Sequence, residues 1–365
     1  MSQNTCNSDI IKAMRIVWTV SVFAVGTAWP QHTVSLPVNF AAPDARVEAV
    51  LEGLAFSEGP AVDLAGNLYF SEDPDVMTGR IWKITPQGEK SVVKEPGRGS
   101  KGLEFDNLGR LNIAMKDSVL RLETDGKVTV LAAKSPSLDL RHINDLSIGS
   151  TGAMFFTNLE GNTVFFRSPE GVIKTKQFSS PNGVEWIEEK GILYLSAGSL
   201  QKCQVNNATG EIGACASFAG ATDGLTTDVE GNVYRASWGD GRIFVHDSTG
   251  KQLGYIAIAS KEVSGKSFSP GNRANASNCH FGGPNRKTLF ITGDGGCYKV
   301  ELKVAGRLRP GFPIGVRLPR MAGSPIRTGM RRGRSGGVLG TSGIYFLDTR
   351  FNPVTANGAV RGLPE

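Results

Sequence analysis

Short runs of alternating apolar residues, each bounded by a turn, recur along most of this chain. Six of them share one frame: Gly66-Asn-Leu-Tyr-Phe70, Gly109-Arg-Leu-Asn-Ile113, Gly152-Ala-Met-Phe-Phe156, Gly191-Ile-Leu-Tyr-Leu195, Gly231-Asn-Val-Tyr-Arg235 and Lys287-Thr-Leu-Phe-Ile291. Successive frames lie 43, 43, 39, 40 and 56 residues apart, and a period near 40 is that of a blade of about four short strands. A second hairpin follows most frames, as in Arg80-Ile-Trp-Lys-Ile84 before Gln87-Gly88, Val119-Leu-Arg-Leu122 before Asp125-Gly126, and Arg242-Ile-Phe-Val-His246 before Thr249-Gly250. Period-two alternation closed by such dipeptides predicts antiparallel hairpins. No comparable window keeps a 3.6-residue period, so helices are expected to be minor. Blades bury their faces only against each other, and closing the circle removes most exposed edges. The pattern predicts an all-β fold, a six-bladed β-propeller over residues 45–306. Arg46-Val-Glu-Ala-Val-Leu51 is expected to supply the missing outer strand of the last blade.

Eight or nine residues ahead of each frame stands a polar or charged residue: Glu58, Lys101, Asn144, Asn182, Asp223 and Asn278. The innermost strands of a propeller line its central channel, so these equivalent positions converge on one axis. Carboxylates gathered there repel one another and resist burial. A cation on the axis resolves the conflict. The donors are carboxylate oxygens of Glu58 and Asp223 and the amide oxygen of Asn182, with Asn144 as a further candidate. Hard oxygen ligands suit Ca²⁺ first, with Mg²⁺ and Mn²⁺ as alternatives and Zn²⁺ less matched. The four histidines, His32, His142, His246 and His280, are too dispersed for a zinc set, and there is no Cys-x-x-Cys pair.

Composition refines this picture at the two ends. The chain has 365 residues, 40% hydrophobic and 20% charged, with a net charge of +6. Residues 307–365 alone carry ten Arg against Asp348 and Glu365, a net +8, so the preceding 306 residues sum to −2. A nearly neutral propeller removes the electrostatic case for nucleic acid. The Arg-rich tail is full of Gly and Pro and lacks the repeat, which predicts disorder over 307–365. At the other end, Arg15 precedes the apolar run Ile16–Val25, and Gly26-Thr-Ala28 offers small residues for cleavage. Residues 1–30 are read as a signal peptide or leader, too short for a stable membrane span, and the mature protein as exported, periplasmic or secreted. Cys203 and Cys215 flank the turn Asn207-Ala-Thr-Gly210 and would face each other across it. An oxidised pair there fits export.

Several segments carry a resemblance to a known family. These are Ser57-Glu-Gly-Pro60, Ile143-Asn-Asp-Leu146 followed by Phe155-Phe-Thr157, Ser180-Pro-Asn-Gly183, Thr222-Asp-Gly-Leu225 with Asp228–Tyr234, and Asn278–Ile291. In this order and spacing the chain resembles the SMP-30/gluconolactonase/luciferin-regenerating-enzyme family over roughly residues 47–304. The resemblance implies one divalent metal at the channel mouth, held by Glu58, Asn182 and Asp223, with Asn144 contacting metal-bound water or substrate. His142 stands where relatives often carry a substrate-gripping Arg. The chain departs from the family at Lys101, where many members have Asn and where a Lys could grip an anionic substrate. It also departs at Asn158, and at Ser196-Ala197, each where many members have Asp.

The chemistry expected of such a site is hydrolysis of a small sugar lactone, with the metal polarising the carbonyl for attack by water and Asp223 as the base, or as a ligand only where the metal alone generates hydroxide. Glu160, just past the third inner strands, is a candidate for binding sugar hydroxyls. No Gly-x-Ser-x-Gly elbow or phosphate-binding glycine motif competes with this reading. The alternatives are a non-enzymatic propeller that binds a ligand or partner, and a strictosidine-synthase-like or paraoxonase-like propeller for bulkier substrates.

Overall fold

Turn chemistry explains where the strands begin. Between the first two strands of three repeats stands an Asp-x-x-Gly turn: Asp63–Gly66, Asp106–Gly109 and Asp228–Gly231. Each aspartate Oδ1 accepts two backbone N–H groups, from Ala65 and Asn67, Leu108 and Arg110, and Glu230 and Asn232, at 2.8–3.0 Å. The closing glycines sit at φ +83°, +73° and +85°, a conformation that costs other residues energy. In the third repeat the first turn residue is Gly149 instead. A Cβ there would collide with the indole ring of Trp186, so packing against the next repeat dictates that change.

The computed structural model describes residues 34–72, 80–93, 99–258, 275–309, 345–347 and 353–355. The leader at 1–30 lies outside them. Among the described residues the fold is all-β, with a single 3₁₀ turn at Glu188–Lys190. It is a β-propeller. Four-stranded antiparallel sheets are formed by the second repeat (Ser100–Phe105 to Val128–Ala133), the third (Ile143–Ile148 to Ile173–Gln177) and the fourth (Val184–Ile187 to Glu211–Ala219). The fifth repeat, Leu225–Thr227 to Gln252–Ala257, gains a fifth strand from Val34–Ser35.

The expectation of six blades is corrected to five blade sheets. Glu48–Val62 runs as one strand of 15 residues. Its first half pairs with Asp294–Lys299 of the sixth repeat, and its second half pairs with Leu68–Glu72 of the first. The first and sixth repeats therefore share one six-stranded sheet. The segment expected to close the ring does so, and in doing so it erases the boundary between two blades.

The core lies between neighbouring repeats. Phe155 and Phe166 of the third pack on Trp186 of the fourth, with Phe155 edge-on to the indole at 5.1 Å. Tyr234 of the fifth meets Phe281 of the sixth in the same way at 5.0 Å. Repeats that bury aromatic surface only against the next repeat cannot separate without exposing it. Cys203 and Cys215 are directly opposed across the outer hairpin of the fourth repeat and form a disulfide.

The fold reaches past both expected limits of 45 and 306. Phe40 and Ala41 are buried, and Phe40 O accepts the Lys303 N–H at 2.7 Å. Arg307 and Arg309, placed by composition in a disordered tail, are anchored in buried ion pairs. Beyond Arg309, only the paired strands Tyr345–Leu347 and Pro353–Thr355 fall within the described residues. Among the described residues no helix is long and apolar enough to cross a membrane.

Candidate metal centre and active site

The six polar residues of the repeat stand at equivalent places at or just ahead of the innermost strands. Glu58, Lys101, Asn144, Asp223 and Asn278 are buried, and Asn182 is partly buried. Close approach of neighbouring inner strands makes this possible. A Cβ on Gly59 would overlap the Lys101 carbonyl, one on Gly102 the side chain of Asp145, one on Gly183 the Asp223 carbonyl, and one on Gly224 the side chain of Asn278. The residue after each ring position is thus glycine in four of six repeats because the next strand occupies the space its side chain would need.

In the third repeat that place is held by Asp145, which sequence reasoning missed. Its signal was a carboxylate standing where four other repeats have glycine. Asp145 is 7% exposed. Its Oδ1 accepts the Leu146 N–H at 2.9 Å, and its Oδ2 lies 3.4 Å from the Val184 N–H and 3.5 Å from Asn278 Nδ2.

Electrostatics tie the ring together. Burial, reinforced by the charge of Glu58, pushes the Asp145 carboxyl up to about 7. Burial likewise raises Asp223 to about 7, with Asp145 adding to the shift while Lys101 and a hydrogen bond from Asn182 oppose it. Glu58 itself accepts the Gly59 N–H at 3.0 Å. Asn182 gives its amide hydrogen to Asp223, which leaves Asn182 Oδ1 buried without a hydrogen-bond partner. A bare amide oxygen beside carboxylates that resist ionisation is the environment a hard cation satisfies. Glu58, Asn182 and Asp223 fit that role. Among the described residues no three His, Cys, Asp or Glu gather as a metal group, so the fit rests on the amide as much as on the acids.

The departures from the family pattern have local roles. Ser196 accepts the Asn182 N–H at 2.9 Å through its carbonyl and donates its hydroxyl to the Thr222 carbonyl. It fixes the backbone on both sides of the Asn182–Asp223 pair. Asn158, fully buried, accepts the N–H groups of Arg141 and His142 at 3.2 Å and donates to the Asp139 carbonyl at 2.7 Å. That holds the loop bearing His142. His142 Nδ1 then meets Glu160 Oε1 at 3.1 Å, with the Glu160 side chain 58% exposed. The two candidate substrate residues are brought together, and Thr157 accepts the Asp145 N–H at 3.0 Å to anchor the strand beside them.

Comparisons with known proteins bear on the fold and the family. The chain is 22% identical to a pentonolactonase of Haloferax volcanii over 241 residues, 62% of this chain and 71% of the relative. It is 24% identical to a gluconolactonase of Zymomonas mobilis over 309 residues, 71% of this chain and 82% of the relative. Its fold matches the structure of a gluconolactonase from Xanthomonas campestris at a TM-score of 0.62 and 24% identity, covering 75% of this chain and 95% of that one. The model of the SMP-30/Gluconolactonase/LRE-like region matches residues 56–294, from just before Glu58 into the strand Thr288–Glu301 that follows Asn278. With more than half its length matched and the ring inside the match, the chain belongs to the SMP-30/gluconolactonase/LRE-like family.

Proposed function

We propose that the protein is a metal-dependent hydrolase that opens small sugar lactones of the gluconolactone class to the free acid. The observation that carries this is the buried ring in which Asn182 bonds Asp223 and keeps a bare Oδ1, beside carboxyls raised to about 7. The lactonase names of the relatives support the same substrate class. Glu58, Asn182 and Asp223 would hold the cation, with Ca²⁺ the best match to oxygen donors. When bound, it would supply Lewis-acid polarisation of the lactone carbonyl.

The chain's own residues supply the rest. Asp223, a buried carboxylate held by Asn182, takes the proton from the attacking water. As the ring C–O bond breaks, the same proton passes to the departing ring oxygen, and the acid leaves. Asn144 orients the reacting oxygens, and His142 with Glu160 binds hydroxyls of the sugar at the rim. Lys101 lowers the cost of negative charge beside Asp223 and favours substrates that acquire it. Export is part of the same proposal, supported by the Cys203–Cys215 disulfide and by the apolar leader. Acid release from glucono-1,5-lactone by the purified protein tests the activity. Release that chelator abolishes and Ca²⁺ restores is expected; none with any added divalent cation refutes the proposal.

A further inference from the structure

Three residues along the inner strands from the ring positions, Arg309 enters the fold with its side chain 11% exposed. Its guanidinium bonds Glu104 Oε1 at 2.9 Å, Glu185 Oε2 at 2.6 Å and Thr226 Oγ1 at 3.1 Å. Glu104 and Glu185 are 2% and 0% exposed. Glu104 passes the link on by accepting the Ile148 N–H through Oε2 at 3.2 Å. Arg307 reinforces the same point, bonding Glu185 Oε1 at 3.0 Å and the Trp186 carbonyl at 3.1 Å.

Position along the strands gives this cluster meaning. Glu104 follows Lys101 by three residues, Glu185 follows Asn182 by three, and Thr226 follows Asp223 by three. Ile148 ends the strand that carries Asn144 and Asp145. One planar fork therefore binds three of the inner strands that bear the ring directly and reaches a fourth through Glu104. In the first and sixth repeats the equivalent places hold Ala61 and Phe281, which cannot join. Arginine suits this task because its donors have fixed relative geometry.

We propose that Arg309 is a positioning residue, a keystone that fixes the relative register of the inner strands of repeats two to five and through them the placement of Lys101, Asn144, Asn182 and Asp223. Its effect on catalysis rests on the lactonase proposal; its effect on the strands does not. Hydrogen exchange in the full chain tests it directly. In Arg309→Ala, amide protection within 101–105, 143–148, 184–187 and 225–227 is expected to fall ~10-fold or more, while 68–72 and 80–84 of the first repeat hold their values. The kcat for gluconolactone should fall by a similar factor, about tenfold, with KM changed less than about threefold.

A neutral triple variant, Arg309→Met with Glu104→Gln and Glu185→Gln, separates alignment from charge compensation. It removes the unpaired buried carboxylates, so its thermal midpoint should return toward that of the parent while strand protection stays low. Unchanged or uniformly reduced protection in Arg309→Ala overturns the keystone, as does full recovery of protection in the triple variant. If the parent protein hydrolyses no lactone, the functional proposal fails and the exchange pattern alone decides this one.

Discussion

Asp145 provides a quantitative test of the ring's electrostatics. Its carboxyl is raised from 3.8 to about 7, first by burial and then by Glu58. Between those two values the folded, metal-free protein holds a proton that the unfolded chain has released. Stability must therefore fall as pH rises from about 4 to 7 and remain low above it. A shift of roughly three units corresponds to about 4 kcal/mol. Asp145→Asn removes that cost while keeping an oxygen for the Leu146 N–H. It forfeits the long contacts to Val184 and Asn278, worth about 1 kcal/mol each at most. A net gain of about 2 kcal/mol or more is expected at pH 8, a rise in Tm on the order of 5 °C.

The assay is thermal unfolding of both proteins from pH 4 to 8 in chelator, repeated with Ca²⁺. The variant should melt slightly below the parent near pH 4 and above it beyond pH 7, the curves crossing between, and Ca²⁺ should shrink the gap at pH 8 by supplying the missing positive charge. An Asp145→Asn variant that melts at or below the parent at pH 8 without metal would show that the buried charge of Asp145 costs the fold nothing.

Two further outcomes follow from the donor set. Glu58→Gln and Asn182→Ala should each weaken Ca²⁺ binding measured by calorimetry at least tenfold, about 1.4 kcal/mol, with the far-ultraviolet spectrum unchanged; unaltered affinity in both places the cation elsewhere. Asp223→Asn, saturated with metal, should lose about 10²–10⁴-fold in kcat because the amide cannot take a proton, and full activity in that state removes Asp223 as the base.

The strand frames and the closing segment were legible because hairpins follow from local alternation and turn residues. The ring was legible for the same reason, since one residue per repeat kept the same distance to the next turn. The disulfide could be expected because Cys203 and Cys215 sit symmetrically about a turn. The merging of the first and sixth repeats was not, since it depends on pairing between Glu48–Phe56 and Asp294–Lys299, nearly the whole repeat array apart. Asp145 hid inside a motif that had already been explained by its neighbour Asn144. Arg309 hid in composition: a segment rich in arginine, glycine and proline reads as solvated, and nothing local reveals that one guanidinium finds two buried glutamates. Its partners came from separate repeats, so only folding could bring them together.

A ring that binds a cation and uses it to open a lactone must be silent without the metal. Proton release from glucono-1,5-lactone, followed in weak buffer with the purified protein in chelator and then with Ca²⁺ in excess, tests both halves at once. Background hydrolysis is expected in chelator, and rapid acid release when Ca²⁺ is returned. Equal rates in both conditions, or a rate no higher than that of the buffer after Ca²⁺, would contradict it.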